Sequence, residues 1–210
     1  MTWVERAADR SPAVQRSRNR GMQQAKVIVD AARRLMVNGS TFTTQELVKD
    51  AGVALKTFYR YFASKDQLLL AVIEDMVTES CLQYHEQARA LPDPLDRLRY
   101  YITTAAGSFG EAAQAARFIS AEHWRLHQLY PEELAHATRP FTDLLLGDIH
   151  AAAEAGVIRP YDSENDAWLI NQLVVAVHHH YAFAPSDERG EDVAQRLWAF
   201  CLGALGGRQP

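Results

Sequence analysis

The 210-residue chain is 48% hydrophobic with a net charge of −4, enough apolar material for one large or two small packed domains. No apolar run approaches the roughly eighteen residues that cross a bilayer, and the polar start MTWVERAADRSPAVQRSRNR lacks the apolar core of a signal peptide, so a cytoplasmic protein without a membrane partner is expected. Cys81 and Cys201 have neither Cys-x-x-Cys nor zinc-finger spacing, which argues against a disulfide framework and a cysteine metal site.

The charge is unevenly distributed. Residues 1–70 hold 12 Lys and Arg against 6 Asp and Glu, whereas the remainder holds 10 against 20. A basic segment of this size suits phosphate binding, although a solvated surface accepts it equally well.

In chain order, residues 1–20 read as a flexible basic arm. Arg16, Arg18 and Arg20 suit either a soluble tail or DNA contact. From Gln23 to Val37, Val27, Ala31 and Leu35 recur at helical spacing, and Asn38-Gly39 stops the helix. Thr43 and Glu46 form a capping-box pair that opens a short helix ending at Gly52. A third helix is predicted from about Ala54 to Phe62. Ser64 and Gln67 repeat the capping-box spacing before a long helix that continues to about Ala90. Leu91-Pro92-Asp93-Pro94 then breaks the pattern, because residues before proline are pushed out of the α region.

Further helices are predicted through Leu95, Leu98, Ile102 and Ala105, from Gln114 to Leu129, and from Glu132 to Ala155, with Pro140 kinking or splitting the last. Two more cover about Ser163–Phe183 and Glu191–Leu205. No alternating β-branched run appears. The expected fold is all-α with about nine helices, organised as the arm, a three-helix domain at 21–67, a connecting helix at 68–90 and a second helical domain at 91–210.

The two short helices near 44–51 and 54–62, with a glycine-containing turn between them, have the length and punctuation of a helix-turn-helix. With Phe58 taken as the inward direction, Phe62 lies about 40° away, whereas Lys56 and Arg60 lie about 160° away. The second helix therefore has an aromatic inside and a basic outside. Lys56 and Arg60 suit phosphates or guanine edges, Thr57 a phosphate or a thymine methyl, and the tyrosine hydroxyls phosphate oxygens.

The segment TTQELVKDAGVALKTFYRYFASK, Thr43 to Lys65, resembles the DNA-binding signature of the TetR family of transcriptional regulators. The family pattern is Thr-x-x-x-[Ile/Leu]-Ala, an Ala-Gly-Val turn, Thr-[Leu/Phe]-Tyr-x-[His/Tyr]-Phe and Ser-Lys-[Glu/Asp]. The resemblance implies that Thr44 and Gln45 start the first helix of the motif against DNA. It makes Leu55, Lys56, Thr57, Tyr59, Arg60 and Tyr61 recognition-helix contacts and places Lys65 at a phosphate, near the N-terminus of the fourth helix. Three positions depart from the pattern. Val48 replaces the common Ala, Ala54 stands where Ser or Thr often caps the recognition helix, and Lys56 replaces a frequent Gly.

The resemblance also implies that residues 91–210 bind a small effector and form a homodimer through the last two helices, so that the DNA site is a palindromic operator. The apolar stripe Trp168, Leu169, Leu173, Val174 and Val177, with Leu197, Trp198, Cys201 and Leu205, suits such an interface and equally an internal core. Phe118, Trp124, Phe141, Trp168 and His179, or His178, are candidate walls of a mainly apolar effector pocket, each with ordinary core packing as the alternative.

The leading reading is a DNA-binding repressor released by an apolar effector, with no cofactor or metal and no enzymatic activity. A competing reading is a metal-dependent enzyme using His123 and His127, which stand at i, i+4, with Glu122. The run His178-His179-His180 cannot converge on one site, since consecutive helical residues are about 100° apart. A non-specific architectural DNA binder is a third reading, disfavoured by the acidic C-terminal two thirds.

Overall fold

The structure is a computed structural model and describes residues 12–39, 41–107, 113–183 and 190–207. Among the described residues there are nine helices and no strands. In chain order they are α1 Pro12–Val37, α2 Thr44–Asp50, α3 Leu55–Tyr61, α4 Lys65–Ala88, α5 Pro94–Gly107, α6 Ala113–Leu129, α7 Pro131–Glu154, α8 Ser163–Phe183 and α9 Gly190–Ala204. No helix is long and apolar enough to cross a membrane among the described residues. Contacts divide the chain into two compact units between Val72 and Ile73, within α4.

Two sequence expectations are corrected. Residues 12–20, predicted as part of a flexible arm, are the first turns of α1. Proline suits a first helical position, and no glycine or further proline interrupts the segment before Gly21. Residues 1–11 of that arm lie outside the described residues. Pro140 does not split α7, which continues from Pro131 to Glu154. Buried Leu134, Ala137, Phe141 and Leu145 on either side fasten that helix to its neighbours, and such packing offsets the hydrogen bond that proline forgoes.

In the first unit α1, α2 and α3 pack on one another. Ile28, Ala31, Ala32 and Met36 from α1 join Leu47 from α2, Phe58 from α3 and the flanking Phe42 and Phe62 in the buried apolar set. The helices α2 and α3 have only seven residues each, far below the length at which an isolated helix is stable in water. Their persistence therefore rests on packing, with each fully buried Leu or Phe side chain contributing about 1.5–3 kcal/mol.

The second unit is a bundle in which α5 packs against α9, α7 and α8, and α8 also meets α6 and α7. Its core includes Leu98, Tyr101 and Ile102 of α5, Leu145 and Ile149 of α7, and Trp198, Cys201 and Leu202 of α9. Arg97 ties α5 to α7. Its Nε and Nη2 donate to Asp148 Oδ1 at 2.9 and 2.6 Å, while Nη1 donates to the carbonyls of Leu91 and Pro92 at 3.0 Å each.

Candidate functional site

The entry to the helix-turn-helix is fixed by reciprocal hydrogen bonds. Glu46 N–H donates to Thr43 Oγ1 at 3.2 Å, and Thr43 N–H donates to Glu46 Oε2 at 2.7 Å, closing the capping box. The Thr43 backbone and side-chain hydrogen bonds hold the Glu46 carboxyl below its usual pKa. The exit from α2 is a Schellman turn, in which Gly52 N–H donates to Lys49 O at 3.3 Å and Val53 N–H to Val48 O at 3.0 Å. Gly52 has φ +64°, a left-handed conformation that glycine adopts without the Cβ penalty. At the following N-cap, Ala54 is extended and makes no side-chain cap bond, so α3 begins with its orphan donors less well satisfied.

Phe58 is fully buried and Phe62 nearly so, with ring centroids 5.9 Å apart. Around that anchor, Lys56 and Arg60 are exposed, Thr57 and Tyr61 are half-buried, and Tyr59 and Leu55 are 56% and 40% exposed. Ala54, Lys56, Thr57, Tyr59 and Arg60 line one open groove along α3. At the start of α2, Thr44 is half-buried and Gln45 is exposed.

Three of the candidate groups are held by neighbours. Arg60 Nη2 donates to Gln24 Oε1 at 2.7 Å, Tyr61 Oη donates to the same oxygen at 2.9 Å, and the guanidinium lies 4.8 Å from the Tyr61 ring centroid. Lys65 Nζ donates to Phe42 O at 2.6 Å and lies 4.3 Å from that residue's ring centroid. No local signal marks Gln24 in the sequence, because its position on α1 opposite α3 is a tertiary fact.

A second site lies wholly within the second unit, a cavity of about 310 Å³. Its walls come from α4 (Met76, Val77, Ser80, Tyr84), α5 (Ala105), α6 (Ile119, His123), α7 (Thr138, Phe141) and α8 (Asn171, Val174, His178). Of the candidate pocket residues, Phe141 and His178 line it. Trp124 and His179 line a separate open depression with Ser120 and Phe183. Phe118 is half-buried on α6 and Trp168 is exposed on α8, neither of them on the cavity wall. Asn171 was not singled out from the sequence, yet the signal was there: a lone amide between Ala167 and Val174 on the buried face of α8.

His123 shares this wall, with its ring centroid 4.9 Å from that of His179. Burial first, and then the neighbouring His179, His127 and His178, lower its pKa to about 4, so the ring is neutral at pH 7. Burial also lowers the pKa of His178 and His179. Among the described residues no group of three His, Cys, Asp or Glu side chains is arranged to hold a metal ion.

Residues 28–72 match the family model described as bacterial regulatory proteins, tetR family. The HTH-type transcriptional regulator EthR of Mycolicibacterium smegmatis is 30% identical over 112 residues, 51% of this chain, and the match spans about half (52%) of that relative's length. The transcriptional regulator FadR from Bacillus subtilis, solved in complex with stearoyl-CoA, aligns with a TM-score of 0.70 at 14% identity, covering 85% of this chain and 98% of that one. RolR in complex with resorcinol aligns with a TM-score of 0.68 at 20% identity, covering 90% and 91%. At these identities the structural likeness concerns the fold.

Proposed function

We propose, from the membership of residues 28–72 in the tetR family of bacterial regulatory proteins, that this chain is a ligand-responsive transcriptional repressor. It binds a palindromic operator as a homodimer and leaves it when a small, mainly apolar effector occupies the second unit. The observation that carries the reading is the division of α3 into a buried Phe58 and an exposed groove of Lys56, Thr57, Tyr59 and Arg60. A helix held by one aromatic anchor presents its remaining groups to a major groove.

In this reading Thr44 and Gln45 meet the DNA backbone at the start of α2. Leu55, Lys56, Thr57, Tyr59, Arg60 and Tyr61 supply groove and phosphate contacts, with Gln24 steadying the last two. Lys65 adds a positive charge at the start of α4. The cavity supports the effector half of the reading, as does the fact that FadR and RolR were solved with small molecules bound. An effector acts only through its differential affinity for the operator-competent and incompetent arrangements.

The test is selection from random duplex DNA by the purified protein at near-physiological salt. Enrichment of a palindrome is the expected result. Binding without enrichment that vanishes as salt rises would reduce the activity to non-specific phosphate contact and overturn the reading.

A further inference from the structure

The wall of the second-unit cavity specifies a narrower class of ligand than its apolarity alone, an inference that rests on the ligand-responsive reading above. None of its lining residues is Asp, Glu, Lys or Arg. An ionised carboxylate or phosphate placed inside would lose its water without gaining a cation, and buried charges persist only when paired. The volume of about 310 Å³ stands at the low end of the roughly 300–1,000 Å³ range of ligand pockets. A single ring with a short chain suits that size.

The wall also contains a polar anchor with unused capacity. Asn171 is only 3% exposed and is one of two buried polar residues among those described. Its Nδ2 donates to Thr142 Oγ1 at 3.0 Å, while Oδ1 has no hydrogen-bond partner among the described residues. A carboxamide carries two donors and a two-lone-pair acceptor, and buried polar groups are overwhelmingly hydrogen-bonded. Across the same wall, Phe141 and Val174 provide apolar surface, and His123 Nδ1 has no hydrogen-bond partner among the described residues.

We propose that this cavity binds a small neutral molecule, apolar except for a hydroxyl group that donates a hydrogen bond to Asn171 Oδ1. The ligand's hydrocarbon part lies against Phe141 and Val174. Anionic molecules of the same shape are rejected because the cavity offers them no counter-charge.

Calorimetric titration of the full chain at pH 7 tests this with three probes that share one hydrocarbon body: para-propylphenol, propylbenzene and para-propylbenzoate. The phenol is expected to bind roughly five- to tenfold more tightly than propylbenzene, as one net hydrogen bond allows. The benzoate should bind more weakly than either. In Asn171→Leu, which removes the carboxamide at similar volume, the preference for the phenol should collapse while propylbenzene binding persists. Failure of the phenol to bind, equal binding of phenol and propylbenzene, or a benzoate as tight as the phenol overturns the proposal in the native protein alone, so the outcome does not depend on the variant folding. A variant that keeps the preference for the phenol removes Asn171 from it. No DNA is present in the titration, so failure here is distinguishable from failure of the regulator reading, which the duplex selection reports.

Discussion

Lys65 and His123 each tie the stability of the fold to the charge state of a single side chain. The Lys65 ammonium is already engaged by the Phe42 carbonyl and ring, so it clamps the turn before α2. Lys65→Met keeps the length and removes the charge. If the ammonium also meets a phosphate, affinity should fall for all duplex sequences, and the slope of log K against log salt should lose about 0.9 in magnitude. The loss of the carbonyl bond should lower unfolding stability by about 1 kcal/mol. A lower melting temperature with an unchanged salt slope would confine Lys65 to the clamp. For His123 the sign follows from its depressed pKa of about 4 in the folded state against 6.5 for the unfolded side chain. Between these values the unfolded chain binds more protons, so stability is full above pH 6.5 and falls as pH drops towards about 4. The shift corresponds to about 3 kcal/mol, with His178 and His179 adding in the same direction. Thermal melts at stepped pH should show a shallower acid loss in His123→Phe than in the native chain, and parallel profiles would refute the assignment.

At the scale of the element, the turn between α2 and α3 offers two substitutions of opposite sign. A Cβ on Gly52 would meet no atom within 4 Å, so the cost of Gly52→Ala is its left-handed backbone alone, about 1 kcal/mol or somewhat more. Ala54→Ser would supply the missing side-chain cap on α3 and should stabilise by about 1 kcal/mol. Urea unfolding that moves in opposite directions for the two variants is the expected outcome, and a stabilised Gly52→Ala would contradict the turn geometry. These features were legible because caps and glycine turns are local chemistry. The Thr43 and Glu46 pair formed the predicted box, whereas Gln67 Oε1 accepts from Ala63 N–H at 2.9 Å, although Ser64 Oγ accepts from Gln67 N–H as a cap should. The first turns of α1 were not legible, for a physical reason. Residues 12–20 are exposed all round, and hydrophobic periodicity reports which face a helix buries, so a helix that buries none there leaves no trace.

At the scale of the whole molecule, apolar spacing alone could not divide the residues of α8 and α9 between an internal core and a partner. The structure shows which of them the chain itself buries. Val174, Leu197, Trp198, Cys201 and Leu205 are buried, whereas Leu169 on α8 and Phe200 on α9 are 44% and 64% exposed. The cavity was equally hidden, because its wall is assembled from five helices and only Phe141 and His178 among the candidate residues reach it. Leu169, Ala176 and Phe183 recur every seven residues on the exposed side of α8, the spacing of a seam that faces another helix. Homodimerisation through α8 and α9 would bury this seam with Phe200 and set two α3 helices on the two halves of a palindrome. The native chain is then expected to scatter light as twice 23.6 kDa, and the double variant Leu169→Glu with Phe200→Glu as a 23.6 kDa species. Both positions are exposed in the single chain, so its secondary structure should be preserved, as surface substitutions seldom change stability by more than about 0.5 kcal/mol. Affinity for the full palindrome should fall steeply while affinity for an isolated half-site holds, because only the coupling between two recognition helices has been removed. A native chain that scatters as a monomer, or a double variant that remains dimeric, would move the interface away from this face of α8 and α9.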